Sequence, residues 1–244
     1  QNVGFTNLAE EIINEDGTIT TKTNTGDMVT CNLNSISLGR ISDEELEENI
    51  ALQIRMLDNV ISINQAPVPE SRMTSDKYRA IGLGTSGYHH YLVNHDIQWE
   101  SDEHIEVADK LFENIAYYSI KASMELAKEK GAYPAFKGSE WETGEYFTRR
   151  GYTSDRWKQL AADVAKYGIR NGYLMAVAPT GSTSNIANTT AGIDPIFKKF
   201  FIDRSEICKE SIQTGTESST RFLKTTVIFF LFSFLDLRSF FDCL

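Results

Sequence analysis

The sequence predicts an α/β fold with largely parallel strand pairing. Helical periodicity occupies residues 42–61, 101–131 and 155–167, and a continuous apolar run of strand length occupies 173–179. Helices that alternate with buried strands are typical of parallel sheets covered by helices. With 244 residues, the chain is long enough for one large domain or two small ones.

The chain opens on an apolar run, residues 3–8, that predicts a short buried strand. Asn7, Glu10 and Glu11 cluster at its end, with Ala9 among them. Polar groups at the end of a strand are a common way to build a site, and an ordinary polar strand end is the alternative. The polar residues 15–27 that follow predict turns.

A second strand and a first helix are predicted next. Apolar and small polar residues alternate over 28–38, which predicts a strand on which Cys31 would by default be a small buried hydrophobe. Ser42 and Glu45 form a capping box, which predicts a helix start. Apolar residues then recur at helical spacing: Leu46, Ile50, Ile54, Leu57 and Ile61. Pro67 and Pro69 are expected to close this segment.

Two further helices are predicted from their caps and apolar stripes. Ser101 and Gly131 bound the first, in which Tyr117 and Tyr118 are expected to serve packing. Its predicted apolar stripe is Ile105, Ala108, Phe112, Ile115 and Ala116. The second spans 155–167, with Gly168 behind it. Its predicted inward residues are Trp157, Leu160, Ala161 and Val164.

A candidate phosphate-binding loop follows the apolar run 173–179, which is predicted to be a strand buried on both faces. Gly181 would allow close backbone approach beside the start of a helix. The hydroxylated neighbours that could add donors are Thr180, Ser182, Thr183 and Ser184. Unpaired N–H groups at a helix start favour an anion. An ordinary Ser/Thr-rich turn is the alternative.

The sequence GLGTSG, residues 82–87, matches the GxGxxG pattern of dinucleotide-binding loops. Its context is poor, because the preceding residues form a weak strand and residues 106–109 fall inside a predicted helix. The dinucleotide pattern needs an acidic residue at the end of a second strand. Close packing of the glycines against a neighbouring element is the preferred interpretation.

Composition narrows the classes of function. The formal charge of −10, from 24 basic and 34 acidic side chains, argues against broad binding of nucleic acid or anionic membranes. Three scattered cysteines and four histidines without HExxH spacing favour neither a disulfide scaffold nor a metal site. We expect a cytoplasmic protein without a visible secretory leader.

The end of the chain breaks the pattern. Residues 205–244 are expected to be a divergent Phe-rich tail outside the fold, with a partly buried amphipathic end as the alternative. Its apolar core, residues 227–232, is too short to span a bilayer. Residues 1–204 are expected to form the folded domain.

Several motifs together resemble the large subunit of class I ribonucleotide reductase. They are, in order, NLAEEI, VTCNLNSISLG, RAIGLG, ELAKEKGAYPAF and GIRNGYLMAVAPTGSTSNIANTTAGIDPIF. The resemblance covers residues 3–203. It implies part of a ten-stranded α/β barrel that reduces ribonucleoside diphosphates to deoxyribonucleotides.

The resemblance also implies roles for individual residues. Asn7 corresponds to the asparagine that binds the sugar, Glu11 to the base on the 3′ hydroxyl, and Cys31 to one of two reducing cysteines. The substrate-phosphate loop corresponds to Pro179, Thr180, Gly181, Ser182 and Thr183. Ala9 stands where the family has its radical cysteine.

The implied partners are a ribonucleoside diphosphate, a small subunit whose metal centre generates the radical, and thioredoxin or glutaredoxin as reductant. No cofactor is expected on this chain. The second reducing cysteine and the ATP and dNTP effector sites would belong to an N-terminal half, which a separate chain could carry. Tyr117 and Tyr118 do not match the family's radical-relay pair.

The departures from the family lead us to expect no reductase turnover from this chain alone. A methyl C–H bond is too strong to exchange hydrogen reversibly with ribose, and general-base help contributes only about 10²–10⁴ in rate. Two alternatives stay open. One is a non-catalytic module for nucleotide-diphosphate binding or subunit interaction, and the other is a remnant without function.

Overall fold

The computed structural model describes residues 7–66, 68–196, 200–203 and 211–214. The chain divides into two compact units, Gln1–Pro195 and Ile196–Leu244. The predicted Phe-rich tail falls almost wholly on residues outside the described ranges, so its boundary at residue 204 stays a prediction. No helix among the described residues is long and apolar enough to cross a membrane.

The first unit combines helices and strands, which confirms the α/β class. Its strands are β1 (Asn7–Ile13), β2 (Ile19–Asn24), β3 (Leu33–Ser37) and β4 (Gly82–Ser86). Its helices are α1 (Leu46–Ile63), α2 (Pro69–Tyr78), α3 (Tyr88–Asn94), α4 (Asp102–Lys130), α5 (Glu140–Thr143), α6 (Glu145–Arg149), α7 (Asp155–Tyr167) and α8 (Gly181–Ile186). The second unit contains an antiparallel pair, β5 (Phe200–Asp203) and β6 (Ser211–Thr214).

Among its described residues the first unit has two small two-stranded sheets, the antiparallel pair β1–β2 and the parallel pair β3–β4. The prediction of largely parallel pairing is therefore not confirmed for the described strands. β3 pairs with β4 from Leu33 opposite Gly82 to Ser37 opposite Ser86. On the other side of β4, the Leu83 N–H donates to the Leu174 carbonyl at 2.8 Å, and residues 83 and 175 form a single parallel bridge. Within the described residues this sheet does not close into a barrel.

The run 173–179 was predicted to be a strand buried on both faces, and that prediction is wrong. Leu174 is buried, whereas Tyr173, Met175 and Val177 are exposed by 47%, 38% and 50%. Beyond the single bridge to β4 the run is irregular. Its apolar character therefore reflects one covered face and one open face among the described residues.

Local sequence signals placed the long helices well. The capping box between Ser42 and Glu45 forms as predicted, and all five apolar positions of the α1 stripe are buried. Ser101 caps α4 by accepting from the His104 N–H. The predicted α4 stripe is wrong at its start, because Ile105 is 67% exposed and full burial begins only at Leu111.

The helix α7 spans the predicted residues and ends at Gly168. Trp157, Leu160 and Val164 are buried, and Ala161 is partly buried against the same core. Tyr117 and Tyr118 also pack against that core, as predicted. The helices therefore build one core around the parallel strands.

The beginning of the described chain differs from the prediction. The strand β1 spans Asn7–Ile13 and pairs antiparallel with β2, so Glu10 and Glu11 lie within a strand and not after one. The polar residues 15–27 contain the expected turn at Gly17 but also the unpredicted β2, whose threonines suit a strand. Residues 3–6 of the predicted strand lie outside the described residues.

Three more boundaries were wrong. The predicted strand 28–38 begins only at Leu33. Pro69 does not close a segment but starts α2 at its first turn, where a missing N–H is harmless. Pro67 lies outside the described residues. The weak strand predicted before residue 82 is the end of α2, and the glycine motif itself is strand β4.

Candidate active site

The residues expected to act on the sugar lie together in β1. Asn7 pairs with Asn24 of β2, and Glu11 pairs with Thr21. The register shifts between Leu8 and Glu10, so the intervening Ala9 is the extra residue of a β-bulge. Bulges interrupt a ladder and redirect the strand. The position at which the resemblance expects a radical cysteine is thus a local irregularity of the strand.

The two carboxylates of this strand differ in their contacts. Glu10 forms an exposed ion pair with Lys22 at 2.8 Å across the hairpin. Glu11, the expected base, is exposed and makes no ion pair within the described residues. The carboxylate of Glu11 is therefore accessible to a ligand, whereas that of Glu10 is paired with Lys22.

Cys31 is a free, exposed cysteine, so the expectation that it is a buried hydrophobe is wrong. It lies in an irregular segment held against α2. The Met28 N–H donates to Thr74 Oγ1 at 2.8 Å, and the Thr30 and Ser75 hydroxyls lie 3.0 Å apart. An exposed thiol on a tethered segment is accessible to a reductant.

The loop expected to bind phosphate starts at Pro179 and leads into α8. The strand-to-helix setting is confirmed only in its second half, because a helix does begin at Gly181 but no regular strand precedes it. Gly181 is exposed, and an added Cβ there would meet no atom within 4 Å. No described group accepts from the backbone N–H of Gly181, Ser182 or Thr183.

Most hydroxyls of this loop already form hydrogen bonds within the protein. Thr180 is buried, and its Oγ1 accepts from the Gly192 N–H at 2.8 Å. The Thr183 hydroxyl donates to the Thr180 carbonyl, and the Ser184 hydroxyl donates to the Gly181 carbonyl. Two of the four hydroxyls expected to add donors, those of Thr183 and Ser184, are therefore already donating to backbone carbonyls, and that of Thr180 is buried. Only Ser182 keeps an exposed hydroxyl without such a bond in the described structure.

The loop lies at the carboxyl end of β4. After α8, residues 188–192 return toward the sheet, and we name them the return segment. The Gly87 N–H, just beyond β4, donates to the Thr190 carbonyl at 2.7 Å, and the Tyr88 N–H donates to the Gly192 carbonyl at 3.4 Å. In parallel sheets, ligands bind outside the carboxyl ends of strands.

The glycines of GLGTSG pack closely, as preferred from the sequence. Added Cβ atoms at Gly82 and Gly84 would overlap Leu33 and the backbone of Ala176. Because the motif is a strand and not a loop after one, it offers no phosphate cradle. The dinucleotide interpretation is therefore unsupported by its geometry.

Sequence reasoning missed two side chains beside the loop. Arg40 donates to the Asn188 carbonyl, and His90 Nδ1 lies 3.0 Å from Thr189 Oγ1. Both contacts join residues about a hundred positions or more apart, so no local pattern predicts them. They anchor the return segment.

A large cavity lies elsewhere among the described residues and contains none of the predicted site residues. It has a volume of about 1070 Å³ and is lined by α4–α7 and residues near 172–175. Two stacked ring pairs border it, Trp141 with Tyr146 and Tyr152 with Trp157. Burial raises the pKa of Tyr146 and Tyr152. Among the described residues no group of three or more His, Cys, Asp or Glu could hold a metal ion.

Comparison with known proteins identifies the family. The model of the ribonucleotide reductase barrel domain matches residues 1–221. The ribonucleoside-diphosphate reductase subunit alpha of Treponema pallidum is 51% identical over 212 residues, which cover 84% of this chain and 25% of that protein. The subunits alpha of Helicobacter pylori (strain 26695) and Synechocystis are 40% and 36% identical, covering 74% and 71% of this chain.

The chain spans about a quarter of the length of these relatives. The family match covers the motifs in β1, the segment around Cys31 and the loop at α8 alike. The chain therefore belongs to the family of the ribonucleotide reductase barrel domain.

Proposed function

We propose that this chain supplies the substrate-phosphate loop and part of the sugar site of a class I ribonucleoside-diphosphate reductase α-subunit. The family match over residues 1–221 is the observation that carries the proposal. The exposed N–H groups of residues 181–183 at the carboxyl end of β4 support it. The substrate would be a ribonucleoside diphosphate, and the complete fold a ten-stranded barrel to which residues 1–204 contribute.

In the proposed site, each residue has a role set by its chemistry. The first-turn N–H groups of α8 and the Ser182 hydroxyl would donate to phosphate oxygens. Asn7 would bind the sugar hydroxyls, and the exposed carboxylate of Glu11 would accept the proton of the 3′ hydroxyl. Cys31 would be one of the two thiols that supply electrons as the 2′ hydroxyl leaves.

Hydrogen abstraction from the 3′ carbon is the step that this chain does not provide. That step needs a thiyl radical, and Ala9 carries a methyl group at the corresponding position. We therefore propose that the chain is inactive by itself, and that its remaining activity is to bind the nucleotide.

The further partners are proposed from the family. They are the radical-generating small subunit, thioredoxin or glutaredoxin, and a chain that carries the N-terminal half with the ATP and dNTP sites, all in the cytoplasm. The exposed apolar side chains of Tyr173, Met175 and Val177 beside β4 support a polypeptide partner. Apolar surface at an open sheet edge invites pairing with another chain.

A second candidate is a non-catalytic module that binds nucleotide diphosphates or another subunit. Ala9 is the observation that favours it, because a binding module has no need of a radical cysteine. The first candidate and the nucleotide-binding form of the second both require the phosphate loop, so its binding is tested first.

Calorimetric titration of the chain with CDP tests the loop. The decisive variant is Gly181→Asp, because an added side chain there meets no atom and a carboxylate in the first turn of a helix is favourable. The fold should survive while the negative charge repels phosphate. Gln98→Glu adds the same charge to the exposed loop before α4 and should bind CDP like the wild type. Equal heats for the wild type and Gly181→Asp would contradict the proposal.

A further inference from the structure

The first turn of α3 is joined to the return segment by His90. Its Nδ1 lies 3.0 Å from Thr189 Oγ1, and its backbone N–H donates to Thr190 Oγ1 at 3.4 Å. His90 is half-buried and lies 99 residues before Thr189 in the chain. This contact therefore connects two parts of the fold that are distant in sequence.

Two glycines leave room for the side chains of His90 and Thr189. An added Cβ at Gly39 would overlap the imidazole ring of His90, and an added Cβ at Gly87 would overlap Thr189 Oγ1. Gly87 also has a φ of +72°, which a residue with a side chain rarely adopts. The backbone on both sides thus lies directly against the imidazole and the hydroxyl.

The return segment is also hydrogen-bonded to the phosphate loop, so the contact with His90 restrains that loop as well. The Thr189 N–H donates to the Ser184 carbonyl in α8 at 3.0 Å. Three residues further on, the Gly192 N–H donates to the buried Oγ1 of Thr180 at 2.8 Å. Thr180 in turn accepts, through its carbonyl, from the Ser184 N–H. The return segment therefore holds α8 both at Thr180, just before the helix, and at Ser184, within it.

We propose that His90 is a positioning residue for phosphate binding. By holding Thr189, it fixes the return segment, and through Gly192 it fixes Thr180 and the direction of the N–H groups of residues 181–183. This inference rests on the proposed function of the loop. A preorganised loop binds more tightly because less conformational freedom is lost when the ligand arrives.

Three single variants of the full chain and one double variant separate this role from general stability. His90→Leu and Thr189→Val each remove the hydrogen bond, whereas His90→Asn retains a polar atom near the position of Nδ1. We expect His90→Leu and Thr189→Val each to weaken CDP binding by about fivefold, the value of one hydrogen bond. The double variant should be no weaker than either single one, and His90→Asn should bind within about twofold of the wild type.

Hydrogen exchange provides a readout that needs no ligand. In His90→Leu, peptides that contain residues 180 and 189–192 should exchange faster, while peptides of α4 keep the wild-type rate. In His90→Asn, exchange at residues 180 and 189–192 should return toward the wild-type rate.

The outcomes distinguish a failure of the role of His90 from a failure of the proposed function. Equal CDP affinity of the wild type and His90→Leu, or unchanged exchange at residues 189–192, overturns the role of His90 and leaves the proposed function standing. If the wild type binds no CDP, the proposed function fails. The role of His90 in phosphate binding then fails with it, and the exchange rates decide only whether His90 holds Thr180 and the return segment in place.

Discussion

The carboxylate of Asp58 lies 2.7 Å from Nε of Arg79, and both side chains are buried. Asp58 is also contacted by Arg170 Nε at 3.2 Å, Lys130 Nζ at 3.5 Å and Asn171 Nδ2 at 3.2 Å. These partners come from the end of α2, the end of α4 and the segment that leads toward the phosphate loop. One buried carboxylate therefore joins four parts of the chain.

Replacing Asp58 by alanine should destabilise the protein strongly. The variant would leave two arginines and a lysine without their common carboxylate, and removal of one partner of a buried ion pair costs about 3–5 kcal/mol. Urea denaturation of Asp58→Ala and the wild type measures the difference in the free energy of unfolding.

The matched control is the exposed pair of Arg72 and Asp76, which are 46% and 45% exposed and lie 2.7 Å apart. Asp76→Ala should change the stability little, because solvent screens an exposed pair. Equal losses in the free energy of unfolding of Asp58→Ala and Asp76→Ala would show that the buried network contributes no more to stability than the exposed pair.

Gly84→Ala should also destabilise the fold. The added methyl group would overlap the carbonyl oxygen of Ala176, and backbone on both sides leaves little room to move. Overpacking of this kind costs about 1–3 kcal/mol. The control is Gly181→Ala, whose methyl group meets no atom, and its midpoint of denaturation should equal or exceed that of the wild type. A stable Gly84→Ala variant would mean that the segment after Met175 packs less closely on β4.

Stability should fall as the pH drops below about 6.5, and His89 is one cause. Burial, and then the positive charge of His104, lower the pKa of His89 from its usual value of 6.5. The unfolded chain therefore takes up a proton at a higher pH than the folded protein does. As the pH falls from 6.5 toward the lowered pKa, protonation favours the unfolded state.

The ring of His89 stacks on Trp99 at a centroid distance of 5.3 Å and an interplanar angle of 9°, so Trp99 fluorescence reports on this region. Denaturation curves at pH 7.5 and 5.5 should differ less in His89→Gln than in the wild type. His104→Gln removes only the second cause and should have a smaller effect on the difference. An undiminished difference in His89→Gln would exclude His89 as a cause.

The features predicted correctly from the sequence are those that nearby residues determine. The box of Ser42 and Glu45, the cap at Ser101 and the stop at Gly168 each depend on contacts within a few positions, and all were found. Apolar spacing likewise located the buried face of α1. Such signals are local, so a single sequence contains them.

The features that were missed depend on distant partners. The close packing of Gly82 and Gly84 was predicted but their place in a strand was not, because that strand depends on β3 and on residues 174–176, which lie far away in the chain. Thr180 looked like a free donor because its partner, Gly192, lies twelve residues further along the chain, beyond α8. Contacts of this kind are set by tertiary packing and have no periodic signature.

We predict that the chain, mixed with a radical-generating small subunit, CDP and dithiothreitol, forms no deoxynucleotide. The proposed reaction would remove a hydrogen atom from the 3′ carbon and later return it, and a thiol S–H bond is weak enough for both steps. The methyl group of Ala9 has no such bond. Chromatography of the nucleotides after prolonged incubation measures the product directly.

The informative comparison adds a polypeptide with the remaining portion of the α-subunit, because this chain spans only a quarter of its relatives. In that mixture Ala9→Cys should permit formation of dCDP, and the wild type should not. Ala162→Cys introduces a thiol at an exposed position of α7, outside the proposed site, and should stay inactive, which separates the position of the sulfur from its mere presence. Deoxynucleotide from the wild-type chain would show that hydrogen transfer does not depend on residue 9.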